Sequence, residues 1–239
     1  LAKKGYPTIS INLVNKYDLA GQFYLWEFAT AVMGVILGIN PFDEPNVKES
    51  KDNTGNVLKS FEDVGSLPVD KPQVSDGTIS ASMHIGSAKL KIKSTEKIGV
   101  DDLLEGFLML KTKGDYFALM AYIDSDSKNK KLLNKVRELI RKSMKSAVTV
   151  GFGPRFLHST GQFHKGGPDK GMFIQFVTEV KNDLVIPGKI YSFGTLKNAQ
   201  AIGDYESLVK WKRRVLKVNL GSDVQEGLKK FCGYLKKVV

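Results

Sequence analysis

The sequence predicts an α/β fold in which a parallel sheet, built from βαβ units, is covered by helices on both faces. Segments that are apolar at nearly every position, as in fully buried strands, occur at 116–123, 148–152, 172–177 and 215–220. Helical patterns separate these segments, which is typical of parallel strands. The 239 residues are 42% hydrophobic and 26% charged, ordinary values that exclude a disordered or fibrous chain.

The charge and cysteine content narrow the class of protein further. Lys and Arg number 36 against 25 Asp and Glu, a net charge of +11, which favours anionic partners. Nucleic acid is not expected among them, because the basic helix faces carry few exposed aromatic side chains. The single cysteine, Cys232, excludes an internal disulfide framework and fits a cytoplasmic protein. It lies on the apolar face of a predicted final helix, where a core thiol is expected.

The amino-terminal region predicts a strand over 8–13 and then a long helix from Asp18 to about Leu37. The run from Leu19 to Ile39 is long and apolar enough to span a bilayer. Glu27 lies near its middle, where an acid costs about 3 kcal/mol in lipid. We therefore expect a buried helix of a soluble protein and no membrane partner.

The middle of the chain changes in character. A short helix over 44–51 is followed by 52–77, where Gly, Pro, Asn, Asp and Ser dominate, as in a linker or surface loop. Short strands are expected at 78–85 and 89–92. The predicted organisation is thus 1–51, a variable linker with short strands at 52–98, and an α/β domain at 99–239. Because residue 1 falls in what looks like the end of a helix, the chain is expected to be part of a longer polypeptide.

The α/β domain contains four predicted helices. Asp101 is a candidate N-cap for a helix over 103–110, and 127–144 carries an apolar stripe with Lys and Arg opposite. A third helix is predicted over 193–202, with Gly203 as its end. The fourth runs from Val224 to the carboxyl terminus.

The segment 151–171 is the richest in chemistry. It leaves a predicted strand with six glycines, which place backbone N–H groups close to a ligand. In open α/β sheets, ligands lie beyond the carboxyl ends of strands. The residue types suit a phosphorylated small molecule; the alternative is a surface loop shaped by glycine. The candidate phosphate-binding residues are Arg155, His158, Ser159, Thr160, Gln162, His164 and Lys165.

Neither a metal nor a cofactor is predicted. His158 and His164 are six residues apart, with no cysteine or acid at ligand spacing. The segment also lacks the G-x-x-x-x-G-K-[ST] pattern, because Gly166 follows Lys165.

A second group of polar residues occurs over 39–51. Asp43, Glu44 and Lys51 are candidates to converge where the predicted short helix begins. Glu44 and Lys51 are seven residues apart, two helical turns, which would place them on one face. The alternative is a loop followed by a solvated helix.

These segments resemble a known family. WEFATAVMGVILGINPFDEPNVKESK (26–51) is similar to the carboxyl-terminal signature of phosphoglucose isomerases. GDYFALMAY (114–122), 151–175 and 186–204 resemble the isomerase part of bifunctional transaldolase/glucose-6-phosphate isomerases. The resemblance covers nearly the whole chain except 52–98. It implies α/β units of the sugar-isomerase (SIS) type, with the amino-terminal helical segment completing a neighbouring unit.

The resemblance also implies a function, the interconversion of glucose 6-phosphate and fructose 6-phosphate through ring opening and an enediol. The family's essential lysine matches Lys51, and its general base lies upstream of residue 1, so this chain alone is expected to be inactive. The resemblance also implies a substrate-binding role for Glu44. The chain departs from the family there, because a glutamine is usual and an ionised carboxylate would repel a sugar phosphate. The segment 151–171 either completes the active site or belongs to a second unit packed against it.

Further expectations follow from the family. The partners implied are a phosphorylated sugar and the rest of the parent chain, and a homodimer is an assembly open to it. Transaldolase chemistry needs a Schiff-base lysine in a (β/α)8 barrel, for which this chain is too short. The alternative function is a non-catalytic module that binds sugar phosphate or acts as a scaffold.

Overall fold

The computed structural model describes residues 2–69, 71–88, 98–158, 160–180 and 183–239. The chain divides into two compact units, Leu1–Glu44 and Pro45–Val239. The three-part organisation expected from the sequence stays a prediction, and its strand at 89–92 lies outside the described residues. The α-helices are α1 (Lys16–Leu37), α2 (Pro45–Val64), α3 (Val100–Met109), α4 (Ser127–Met144), α5 (Thr160–Gly166), α6 (Phe193–Lys210) and α7 (Val224–Val238). The strands are β1 (Val74–Ser75), β2 (Ser80–Ile85), β3 (Tyr116–Ala121), β4 (Val148–Phe152), β5 (Gly171–Val177) and β6 (Arg214–Asn219).

The first unit consists mainly of α1. Asn15 caps the helix, and Asp18, the predicted cap, completes a capping box from the third helical position. The segment 8–13 is not a strand, because residues 2–44 contain no second strand with which it could pair.

The expectation that α1 is buried is wrong for this structure. Gly34 is the buried residue of the helix, whereas Tyr24 and Trp26 are 71% and 55% exposed. Nothing else in the described part of this unit is large enough to cover an apolar helix. By length and composition alone, α1 could cross a membrane, although Glu27 lies within it; the absence of a membrane partner stays a prediction.

The second unit is built on a six-stranded sheet with the order β1-β2-β6-β5-β3-β4. β6, β5, β3 and β4 are parallel, as the alternation of strands and helices predicts. β1 and β2 are antiparallel additions next to β6. The sheet is therefore mixed, and the expected all-parallel sheet is wrong: 74–85 forms a hairpin, and a hairpin reverses the chain direction.

Helices cover both faces of this sheet. Alternate strand residues such as Phe117 and Leu119 face α3, α4 and α7, where Cys232 is buried in the core as expected. Their neighbours Ala118 and Met120 face the opposite layer, to which α6 contributes. The near-continuous apolar strands are thus buried on both sides.

Two helices are longer than the sequence indicates. α2 extends to Val64, into the predicted linker. Its buried residues are Asn46, Ser50 and Thr54 beside Val47 and Val57, a mixed set that gives no continuous apolar stripe from which the helix could be predicted. α6 passes through Gly203, the predicted end of that helix. A Cβ at Gly203 would lie 2.8 Å from the Thr54 backbone nitrogen. The glycine therefore allows α2 and α6 to approach closely.

Candidate functional site

The candidate segment 151–171 connects the carboxyl end of β4 to the start of β5. A 3-10 helix, Arg155–His158, and α5 form most of it. It begins at a close approach, since a Cβ at Gly153 would lie 2.5 Å from the Tyr122 ring. The structure divides its predicted phosphate-binding residues into an exposed group and a buried group.

The exposed group contains Arg155, His158 and Thr160. Within the described part of the chain, none of these side chains makes a hydrogen bond or an ion pair, so their polar atoms face solvent. Ser159 lies outside the described residues. Among the predicted phosphate-binding residues of this segment that the structure describes, these three are the exposed ones.

Gln162 is turned toward α2 rather than toward solvent. Its side-chain oxygen accepts a hydrogen bond from the Asn46 backbone N–H at 3.0 Å. Its amide nitrogen donates to the Asn46 side-chain oxygen at 2.9 Å. This reciprocal pair satisfies one backbone N–H of the first turn of α2, that of Asn46, and connects α5 to α2. In this structure both polar atoms of the Gln162 side-chain amide are hydrogen-bonded to Asn46.

His164 is buried among aromatic rings. Its imidazole lies 4.9 Å from the Phe173 ring, centroid to centroid, and also contacts Tyr116 and Phe156. Its Nδ1 has no hydrogen-bond partner among the described residues. Burial, reinforced by the neighbouring Lys165 charge, lowers the pKa of His164 to about 4. The ring is therefore neutral at pH 7 and acts in packing.

Lys165 forms a buried ion pair. Its side chain is 1% exposed, and its Nζ lies 2.5 Å from an Asp204 carboxylate oxygen on α6. The Tyr122 hydroxyl donates to the other Asp204 oxygen at 3.1 Å. Burial raises the pKa of Asp204, and Lys165 and Tyr122 act against that rise. Arg213 also donates to the Lys165 and Gly167 carbonyls. The Lys165 ammonium neutralises Asp204 here and is not available to a ligand from solvent.

The second predicted group does not form as a helical face. Glu44 precedes α2 and belongs to the first unit, so it shares no helix with Lys51. Lys51 lies on the exposed face of α2. Its ammonium has no hydrogen-bond or ion-pair partner in the part of the chain that the structure describes. Its charge is therefore free to act on a bound ligand.

The structure also identifies residues that the sequence analysis did not single out. The residues after β3, the end of β4 and the first turns of α6 line a cleft of about 390 Å³. We call it the β3–β4 cleft; it brings Arg155 together with Asp124 and Lys197. Lys197 belongs to the 186–204 stretch that carries the family resemblance. No local sequence motif distinguishes Lys197, because Asp124, Arg155 and Lys197 come to line one cleft only in the folded chain.

The described residues offer no metal centre: none of their His, Cys, Asp and Glu side chains form a group of three that could hold an ion.

Comparisons with known proteins give short local matches to glucose-6-phosphate isomerases. The Leptospira biflexa enzyme is 43% identical over 56 residues, which are 23% of this chain and 12% of that enzyme. The Heliobacterium modesticaldum enzyme is 47% identical over 50 residues, 21% of this chain and 11% of that enzyme. The Levilactobacillus brevis enzyme is 38% identical over 65 residues, 26% of this chain and 14% of that enzyme. These matches support a relationship to phosphoglucose isomerases.

The extent of the matches is limited. They span only 11 to 14% of the length of these curated relatives. No family model matches the chain. A solved structure, a hypothetical protein from Thermus thermophilus, aligns with 58% of this chain and 40% of its own at 17% identity and a TM-score of 0.48. A likeness of that size defines neither a fold family nor a function.

Proposed function

We propose that this chain is the carboxyl-terminal part of a glucose-6-phosphate isomerase that interconverts glucose 6-phosphate and fructose 6-phosphate. The observation that carries the proposal is the local identity of 38 to 47% to such isomerases from three genera. The signature-like run 26–51, which ends at Lys51, supports it. The finer proposal is that the parent is bifunctional, with a transaldolase elsewhere in a longer cytoplasmic protein.

In this proposal Lys51 is the catalytic residue that the chain supplies. An exposed ammonium without a protein partner can donate to the ring oxygen during opening and attract the phosphate. The subsequent transfer of a proton between C2 and C1 needs a carboxylate within hydrogen-bond reach. Asp204 is unsuited to that step, because it is fully buried and paired with Lys165. The resemblance to phosphoglucose isomerases implies that the general base lies upstream of residue 1, outside this chain.

The exposed part of 151–171 is proposed to contribute to phosphate binding through Arg155, His158 and Thr160. Their exposed side chains support this role. For Gln162, His164 and Lys165, the observed hydrogen bonds, aromatic packing and ion pair favour a supporting role behind that surface. The α/β unit is proposed to be of the SIS type, extended by the β1–β2 hairpin.

The alternative is a non-catalytic module that binds a sugar phosphate for the parent protein. The β3–β4 cleft favours this reading, because it contains two cations and needs no general base. The two functions differ in turnover: a binding module leaves the isomerase rate of the parent unchanged when its ligand-binding residues are replaced.

A coupled assay that converts fructose 6-phosphate to glucose 6-phosphate tests the proposal. We expect turnover by the longer protein and none by residues 1–239 alone, since the base lies outside them. Turnover by the 239-residue chain would contradict the placement of the base. An inactive longer protein that still binds fructose 6-phosphate would favour the binding module.

A further inference from the structure

The β3–β4 cleft lies where an open α/β sheet places ligands. β3 leads into α4, on the layer that also contains α3 and α7. β4 leads toward α5 and β5 leads to α6, which share the opposite layer with α2. Connections that diverge to opposite faces open a crevice at the carboxyl ends of adjacent parallel strands. The cleft occupies this crevice, and its volume of about 390 Å³ suits a small ligand.

Charge distinguishes this cleft from two others on the same unit. The β3–β4 cleft has Arg155 and Lys197 against the single carboxylate of Asp124. A cleft beside the end of β6 is bordered by Glu179, Asp223 and Glu226, with no cation among its described lining residues. In a third cleft, bordered by β2, β5 and β6, Lys217 is matched by Glu179. The β3–β4 cleft alone of these three carries an excess of positive charge in its lining.

The Lys197 side chain has unused donors. It is half-buried, and burial lowers its pKa, partly offset by the charges of Asp124 and Asp183. Within the described residues, its ammonium makes no hydrogen bond and no ion pair within 4.0 Å. Its three N–H donors are therefore not used by an acceptor on the described part of the protein and are available to a ligand. Arg155 adds a guanidinium that is likewise unpaired.

The amino end of α6 does not compete for an anion. The Asp183 carboxylate accepts from the Gly194 backbone N–H at 2.7 Å and from the Ser192 hydroxyl. This carboxylate already occupies the position that an anion would take at the helix end. The groups in the cleft that can bind an anion are therefore the side chains of Lys197 and Arg155.

The remaining lining indicates what is attached to the anion. Asp124, Ser125 and Gln200 offer acceptors and donors for hydroxyl groups, and Phe152 and Phe193 supply apolar surface. This combination matches a compact polyhydroxylated molecule better than a bare ion, for which a carboxylate in the lining would be unfavourable.

We propose that the β3–β4 cleft binds a small phosphorylated polyol, with Lys197 and Arg155 on the phosphate and Asp124 and Gln200 on the hydroxyl groups. This inference deepens the alternative function, the sugar-phosphate-binding module, and rests on it; the site requires neither Lys51 nor turnover. It assigns Arg155 and Lys197, which are distant in the sequence, to the same phosphate group.

Isothermal titration calorimetry of the 239-residue chain tests the proposal, with fructose 6-phosphate, inorganic phosphate and fructose as probes. We expect saturable binding of fructose 6-phosphate, weaker binding of phosphate and none of fructose. Lys197→Met keeps the apolar stem and is expected to weaken binding at least tenfold, as is Arg155→Met. Lys197→Arg is expected to retain binding. Lys142→Met, at an exposed position on α4, is the matched control and is expected to bind as the unaltered chain does.

The outcomes separate this proposal from the isomerase proposal. Binding that survives Lys51→Ala but not Lys197→Met supports the cleft, whatever the catalytic result. Binding lost in Lys51→Ala and unchanged in folded Lys197→Met overturns the cleft and leaves the isomerase proposal standing. The proposal is also overturned if neither fructose 6-phosphate nor inorganic phosphate binds. It is overturned as well if Lys142→Met weakens binding as much as Lys197→Met does, because binding would then depend only on the overall surface charge.

Discussion

Replacing His164 with phenylalanine should change how the stability of the α/β unit depends on pH. The imidazole is 4% exposed, packs against Phe173 and lacks a partner for Nδ1 among the described residues. A phenylalanine fits the same aromatic surroundings and does not titrate. Burial and the Lys165 charge lower the pKa of His164 from 6.5 to about 4, so protonation opposes folding.

The magnitude follows from linkage between protonation and folding. Below about pH 6.5 the unfolded chain protonates this ring, whereas the folded chain does so only near pH 4. The histidine contribution is therefore fully present above pH 6.5 and is lost as the pH falls. At about 1.4 kcal/mol per pH unit, the unaltered chain should lose about 3 kcal/mol relative to His164→Phe between pH 6.5 and pH 4.

Denaturant unfolding at half-unit pH steps, followed by far-UV circular dichroism, measures this difference. The exposed His158 provides the control: His158→Gln should reproduce the pH dependence of the unaltered chain. If the free-energy difference between the unaltered chain and His164→Phe stays constant from pH 7 to pH 4, burial does not hold this imidazole neutral. A constant difference would mean that the ring is solvated or hydrogen-bonded in the folded protein.

Two further predictions concern packing. Lys165→Met leaves the Asp204 carboxylate buried without its cation and should cost about 3 to 5 kcal/mol of unfolding free energy at pH 7; a cost below about 1 kcal/mol would show that the pair is solvated. Gly203→Ala places a Cβ 2.8 Å from the Thr54 backbone nitrogen and should cost about 1 to 3 kcal/mol by thermal or denaturant unfolding. Gly233 is the control, because it is exposed on α7 and an added Cβ has nothing within 4 Å. Gly233→Ala should raise the free energy of unfolding by about 0.5 to 1 kcal/mol. Equal effects at the two glycines would contradict the close approach of α2 and α6.

The elements that the sequence predicts well are those in which local signals and tertiary packing agree. α4 has an Asp126 cap and an apolar stripe, and its predicted bounds match the structure. β4 also has the predicted bounds. Both faces of the central strands are buried, so their apolar runs are unambiguous.

The elements that the sequence misses depend on contacts between distant segments. The buried face of α2 mixes Asn46, Ser50 and Thr54 with two valines, and hydrophobic periodicity does not reveal such a face. Gly203 has the local appearance of a helix end, yet the adjacent helix requires a glycine there. The apolar pattern of α1 predicts burial, but the described residues of its own unit cannot provide it.

The candidate site shows the same division. Residue type and loop position make Arg155 a candidate, and the structure places it exposed just after the carboxyl end of β4; its role in binding stays a prediction. Residue type and loop position do not distinguish Arg155 from Lys165, whose ammonium is buried in an ion pair with Asp204 on α6. Lys197 has no local signature, and it becomes a candidate only when the sheet order places α6 beside the ends of β3 and β4.

The most direct test of the relationship to glucose-6-phosphate isomerases is the effect of Lys51→Ala on kcat/KM in the longer protein. We expect a loss of about a hundredfold or more, the scale on which a positioned catalytic group acts. Lys59→Ala, which removes another exposed lysine of α2, should leave kcat/KM unchanged. An unchanged kcat/KM in Lys51→Ala, with the protein folded and active, would show that Lys51 is not catalytic and that this chain does not supply the lysine of an isomerase active site.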